Sequence, residues 1–218
     1  MTDSATLAAS INRNVSTRTE DGQELHVVTL SRAYPTTIDD LWDACTNAER
    51  LPRWFLPVSG DLRVGGRYQF EGNAGGVIEA CDKPHRVAAT WEFGEAVTWV
   101  TLNLFSTPDG ASRLELVHTA PMSDHWDTYG PGAVGIGWDL GLLGLAKHLE
   151  SGASLDPGAE AEWSASPEGI AFITASSEGW TEATIASAAD PDGPAKPAPE
   201  PSASALAKGE KREMRKEK

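Results

Sequence analysis

The chain predicts an α+β fold, one antiparallel sheet with its helices on a single face. Three observations carry that expectation. Five β-rich stretches follow one another between residues 62 and 119 at hairpin spacing, which is the signature of an antiparallel meander. A further β-rich stretch, Leu25–Ala33, precedes them. One long apolar stretch, Gly130–Glu150, follows them, and a sheet with one solvated face needs such an element to cover the other.

Taken in order, residues 1–23 are polar and weakly patterned, and read as a mobile N-terminal segment closed by the turn signal Glu20-Asp21-Gly22. Leu25–Ala33 reads as a strand ended by Pro35. Thr37 caps a helix, with Asp40 completing a pair like a capping box and Ile38, Leu41, Trp42 and Cys45 on its buried face. A second short helix runs to Trp54, kept short by Pro52. Leu62–Glu71, Val77–Cys81, Arg86–Phe93, Ala96–Phe105 and Ser112–Thr119 are the meander, with Val87, Ala89, Trp91 and Phe93 on one face of the third stretch. In the long helix, Val134, Trp138, Leu142, Leu145 and Leu149 fall on one face. Gly137, Gly141 and Gly144 interrupt it, each costing about 0.5–1 kcal/mol of helix stability against Ala. Their side of the helix is expected to face a cavity or a closely packed strand. Residues 151–189 read as a helical extension of two short helices, Ala161–Ala175 and Glu178–Ala188, and 190–218 as a disordered tail.

Composition narrows the function. The chain has 218 residues and a formal net charge of −14. The stretch Lys208–Lys218 is basic, so residues 1–207 carry −17, a charge that repels phosphates and argues against nucleic-acid or anionic-membrane binding by the main domain. The first ten residues lack the pattern of a secretory signal, and no apolar run reaches 18 residues. Cys45 and Cys81, 36 residues apart, read as two buried reduced thiols of a cytoplasmic protein.

Five blocks carry a resemblance: Val28–Pro57, Gly60–Phe70, Gly75–Phe93, Leu114–Pro121 and Gly135–Glu150. Their order and motifs are an Arg-led approach to the first helix, then W-D-A, R-W-F, V-G-G, a T-W strand and a G-W helix. Here the approach reads Arg32-Ala33-Tyr34-Pro35-Thr36-Thr37, a slight departure from the pattern. In these features residues 24–150 resemble the SRPBCC superfamily, which includes START domains. The match within it is to the branch named for the C-terminal domain of the heat-shock-protein-90 ATPase activator. The resemblance implies a helix-grip fold: six to seven curved antiparallel strands wrapped around the C-terminal helix, with a cavity between them. It does not fix an activity, because this fold hosts many.

Three functions are weighed. The first is binding of a small hydrophobic ligand in the cavity, without catalysis. Its candidate lining is Trp54, Trp91, Phe93, Leu114, Leu116, His118, Trp138, Gly141, Leu142 and Leu145. The second is a co-chaperone-like partner contact, as the resemblance implies. The third is a cyclase or dehydratase in which His118, on the inward parity with Leu114 and Leu116, acts as acid/base beside Glu79 or Glu92. The reading of His118 as a buried or rim histidine with one hydrogen-bond partner is preferred over the catalytic one, since few polar groups line an ordinary pocket. Asp124, His125 and Asp127 read as a solvated loop, and the five histidines show no metal-ligand spacing. No cofactor and no metal is expected, and homodimerisation through residues 151–189 is left open.

Overall fold

The computed structural model describes residues 4–154 and 156–189, without the side chains of Ser4, Ala5, His125, Asp127 and Pro157. The tail expected at 190–218, and with it part of the Asp124–Asp127 cluster, lies outside the described residues. Among the described residues the sheet has eight antiparallel strands in the order β1-β2-β8-β7-β6-β5-β4-β3. They are β1 (Asn12–Glu20), β2 (Gln23–Tyr34), β3 (Val58–Gly60), β4 (Arg67–Phe70), β5 (Gly75–Asp82), β6 (Arg86–Phe93), β7 (Ala96–Ser106) and β8 (Ser112–Pro121). The first hairpin, β1–β2, joins the far edge of the meander through β2–β8, from Leu25 opposite Pro121 to Tyr34 opposite Ser112.

The sheet curves around a helix, as the helix-grip expectation required, with one or two strands more than expected. The additions are at its edges. β1 falls within the segment expected to be mobile, yet it pairs with β2 from Asn12 opposite Ser31 to Glu20 opposite Gln23. Its residues carry little apolar signal because their cover comes from the other end of the chain. At the opposite edge, Leu62–Gly66 forms a loop between β3 and β4 instead of the strand start expected there.

On the concave face lie α2 (Ile38–Thr46), a single 3-10 turn at Leu51–Arg53, and α4 (Gly132–Ser151). Thr37 caps α2 by accepting from the Asp40 amide at 3.3 Å. The Asp40 carboxylate turns instead to Arg50 and Thr36. A short α3 (Asp124–Tyr129), capped by Ser123, replaces the expected loop before α4. The predicted face of α4 packs as expected: Leu142 and Leu145 are buried, and Val134, Trp138 and Leu149 join the same core with Leu30, Leu114, Leu116, Val100 and Leu104.

Behind α4 stands a second layer that the sequence left open. α1 (Ser4–Ala9), α5 (Pro157–Ala165) and α6 (Pro167–Ala189) pack there, and α6 at 23 residues is longer than α4. Ala8, Leu143 and Phe172 form its apolar centre. Asp139, fully buried on α4, holds the layer in place. Its Oδ2 accepts from Arg13 Nε of β1 at 2.9 Å, from Ser176 and from Trp180 Nε1 of α6 at 3.0 Å. Burial pushes the Asp139 carboxyl above the usual range, and these three donors pull it back only in part.

The helix glycines divide three ways. Gly137 is exposed with open space beside it, so the cavity argument fails there. Gly141 lies 3.8 Å, at an added Cβ, from the Phe55 ring, and Gly144 is buried. The position where bare backbone is required is Gly135, which the sequence reading passed over. A Cβ there would overlap the indole of Trp180.

Candidate functional site

A cavity of about 450 Å³ opens between α4, α2 and the concave face of β4–β8. Its inner wall follows from strand parity: Val87, Ala89 and Trp91 on β6, Val100 and Leu102 on β7, Leu114 and Leu116 on β8. Gly76 lets β5 lie close against β6: a side chain there would collide with the Thr90 carbonyl of that strand. Across from the sheet, Trp138, Gly141 and Leu142 of α4 form the roof, while Cys45 and Thr46 of α2 form the end.

Aromatic rings run through the lining as a continuous chain. Phe55 lies 5.1 Å from Phe70, 5.6 Å from Trp54 and 6.2 Å from Trp138, and Trp91 lies 4.9 Å from Trp138 and 5.7 Å from Phe70. Such pairs fill space rigidly and leave flat apolar faces. The polar ends of three of these residues are committed to the protein. Trp54 Nε1 donates to the Ala44 carbonyl at 2.9 Å, Tyr68 Oη to the Thr90 carbonyl at 2.7 Å, and Trp138 Nε1 to His118 Nδ1 at 2.9 Å. Burial raises the Tyr68 phenol, with Glu92 adding to it, and raises the Cys45 thiol, each to about 12, so both are neutral. No carboxylate is among the described lining residues. The mouth is rimmed by Leu62, Arg63 and Val64 of the β3–β4 loop and by Cys81. Cys81 is exposed, contrary to the expectation that both thiols are buried.

Of the ten expected lining residues, Trp54, Trp91, Leu114, Leu116, Trp138, Gly141 and Leu142 are on this surface. Phe93 is not: it sits at the end of β6 and is 63 % exposed. Leu145 is fully buried in the core beyond the cavity. His118 is 4 % exposed and behind the wall. Because an indole N–H can only donate, Nδ1 of His118 accepts from Trp138, which leaves Nε2–H to donate to Thr98 Oγ1 at 2.9 Å; Thr98 in turn donates to the Trp91 carbonyl at 3.0 Å. Burial lowers this imidazole to about 4, so it is neutral with its lone pair already in use. Glu79 is exposed, and Glu92 is paired with Arg67 at 2.6 Å. Neither stands beside His118 in a hydrogen bond. Phe55, Tyr68 and Phe70 are the aromatic residues the reading missed. Their signal was present in the blocks R-W-F and R-Y-Q-F, but no periodicity tells which way a loop aromatic turns.

The profile of the family described as Activator of Hsp90 ATPase homolog 1-like protein matches residues 35–150. The chain belongs to this family. Its place in the SRPBCC superfamily agrees with the sheet gripping α4. The fold is similar to CalU16 from Micromonospora echinospora. The crystal structure of CalU16 aligns at 28 % identity over 80 % of this chain and 98 % of that one, TM-score 0.64. Its solution structure aligns at 29 % identity over 81 % and 96 %, TM-score 0.68. That coverage is wider than the family match, so the likeness takes in elements outside residues 35–150. EF2215 of Enterococcus faecalis, a conserved protein of unknown function, shares the fold at 18 % identity over 78 % of this chain and 91 % of that one, TM-score 0.56. A comparison with curated protein sequences gives no match. No described helix is long and apolar enough to cross a membrane, and no described group of His, Cys, Asp or Glu is arranged to hold a metal ion.

Proposed function

We propose that this protein binds a small hydrophobic ligand in the cavity beneath α4. The observation that carries the reading is the lining: about 450 Å³ walled mainly by aromatic and aliphatic side chains, with the polar ends of Trp54, Tyr68 and Trp138 engaged by the protein itself. A volume in this range takes a drug-sized molecule. Two unbridged cysteines support a reducing, cytoplasmic setting. The test is a thermal-shift and native mass-spectrometry screen of fatty acids, steroids and polycyclic aromatics on the wild type and on Gly141→Leu, which places an isobutyl group in the cavity roof. A binder present at 100 times its Kd stabilises the wild type by about 2.7 kcal/mol. We expect Gly141→Leu to remain folded and to lose most of that shift. A shift of equal size in both proteins, or none in the wild type across the panel, overturns the reading.

The family description favours a second reading, a contact with an Hsp90-type chaperone. Binding and stimulation of a chaperone ATPase by the purified chain, unaffected by Gly141→Leu, would support that contact over the ligand.

A further inference from the structure

Most hydrogen-bond donors on the cavity lining are spent within the protein. Besides the Trp54 and Trp138 indoles and the Tyr68 hydroxyl, Thr46 Oγ1 donates to the Trp42 carbonyl at 2.8 Å. Arg63, at the exposed mouth, is paired with Asp61 at 2.8 Å. The thiols of Cys45 and Cys81 are weak donors, and the first is neutral.

Trp91 is the exception. Of the lining indoles, Trp54 and Trp138 have acceptors, and Trp91 has none among the described residues. Its Nε1 is not among the buried polar atoms shut off from solvent, so the N–H reaches open space. The side chain stands half-buried on the concave face of β6, its ring 5.7 Å from Phe70 and 4.9 Å from Trp138. Both neighbours line the cavity, and Trp138 turns its own N–H away to His118. The open space on this side of the sheet is the cavity.

An indole nitrogen donates and cannot accept, so what it calls for is an acceptor. Charge on that acceptor is disfavoured, because an ionised group buried without a partner loses more hydration than one neutral donor returns. A hydroxyl or amide would bring a donor of its own, and the described lining has no carboxylate to take it. A ketone brings an acceptor alone.

We propose that Trp91 sets the specificity of the cavity by donating from Nε1 to a carbonyl oxygen of the ligand, which makes the ligand class an uncharged, flat aromatic ketone. Its rings lie among Phe55, Phe70 and Trp138. This rests on the cavity being a ligand site. The bond discriminates because a carbonyl taken into an apolar cavity without a donor gives up its bonds to water and regains nothing.

The test compares 2-acetylnaphthalene with 2-isopropenylnaphthalene, in which a methylene replaces the carbonyl oxygen, by equilibrium dialysis against the full chain. The proteins are the wild type, Trp91→Phe, and a variant carrying 3-benzothienylalanine at position 91 alone, where sulfur replaces the N–H and the bicyclic shape is kept. We expect the ratio of ketone to alkene affinity to fall about tenfold in both variants, the cost of leaving a buried carbonyl without its donor. Affinity of the benzothienyl variant for the alkene should match the wild type. In the ligand-free state that variant should melt with the wild type, since the N–H serves no protein acceptor; a lower melting temperature would place the N–H in a structural bond and overturn its role. The charged probes 2-naphthoate and 2-naphthylmethylammonium should bind the wild type at least tenfold more weakly than the ketone, and equal binding overturns the uncharged class. An affinity ratio unchanged by both substitutions removes Trp91 from recognition and leaves the cavity reading standing. Binding of neither naphthalene probe overturns both.

Discussion

His118 shows how far a single residue can be read. Its inward direction followed from parity with Leu114 and Leu116, and it is buried as that parity requires. Its chemistry did not follow, because the residues that decide it, Thr98 and Trp138, are each 20 positions away. The network makes a measurable claim about pH. Burial lowers the His118 pKa from 6.5 to about 4, so as pH falls below about 6.5 the unfolded chain takes up the proton first. The stability contributed by the neutral imidazole is complete above pH 6.5, declines between pH 6.5 and 4, and levels off below. A shift of that size corresponds to about 3 kcal/mol. We expect denaturant unfolding of the wild type to show this loss over and above that of His118→Gln, whose curve has no titrating group at the site. Parallel pH profiles for the two would mean that His118 is not held neutral by the fold.

At the scale of the element, α4 was legible on the face it turns to the sheet and illegible on the face it turns away. The 3.6-residue period of Val134, Trp138, Leu142, Leu145 and Leu149 belongs to α4 alone, so the sequence states it. Three glycines were legible as a cost, but the reason for a glycine lies in what approaches it. At Gly137 nothing does, at Gly141 a ring leaves room for a methyl group, and at Gly135 an indole from α6 leaves none. Alanine substitutions should separate these cases. Gly141→Ala is expected to stabilise by about 0.5–1 kcal/mol through helix propensity alone. Gly135→Ala gains the same propensity but forces Trp180 aside, with a net loss of about 1–3 kcal/mol. Circular dichroism melts of both variants provide the check, and equal shifts would contradict the packing of α6 on α4.

The whole molecule holds together through a contact between segments that sequence reading treated as peripheral. The meander and its helix were legible because hairpins are local, with turns of a few residues. The layer behind α4 was not, because Arg13 meets Asp139 across 126 positions and Trp180 meets it across 41. One carboxylate oxygen anchors the N-terminal strand and the C-terminal helix together. Asp139→Asn leaves the Arg13 guanidinium buried without its counter-ion, and removing one partner of a buried pair costs about 3–5 kcal/mol. Hydrogen exchange should locate that loss in residues 12–20 and 167–189, with the strands of the meander protected as before; uniform loss across the chain would show that the clip is not a separate unit. The clip also orders events during synthesis. At about 5–20 residues per second, Asp139 follows Arg13 off the ribosome by roughly 6–25 s, and Ser176 and Trp180 come later still. β1 can pair with β2 soon after it is made, but its anchor to α4 and α6 comes only after this interval. Through that interval its outer edge is an unpaired strand with a free arginine, the part of the nascent chain most in need of shelter.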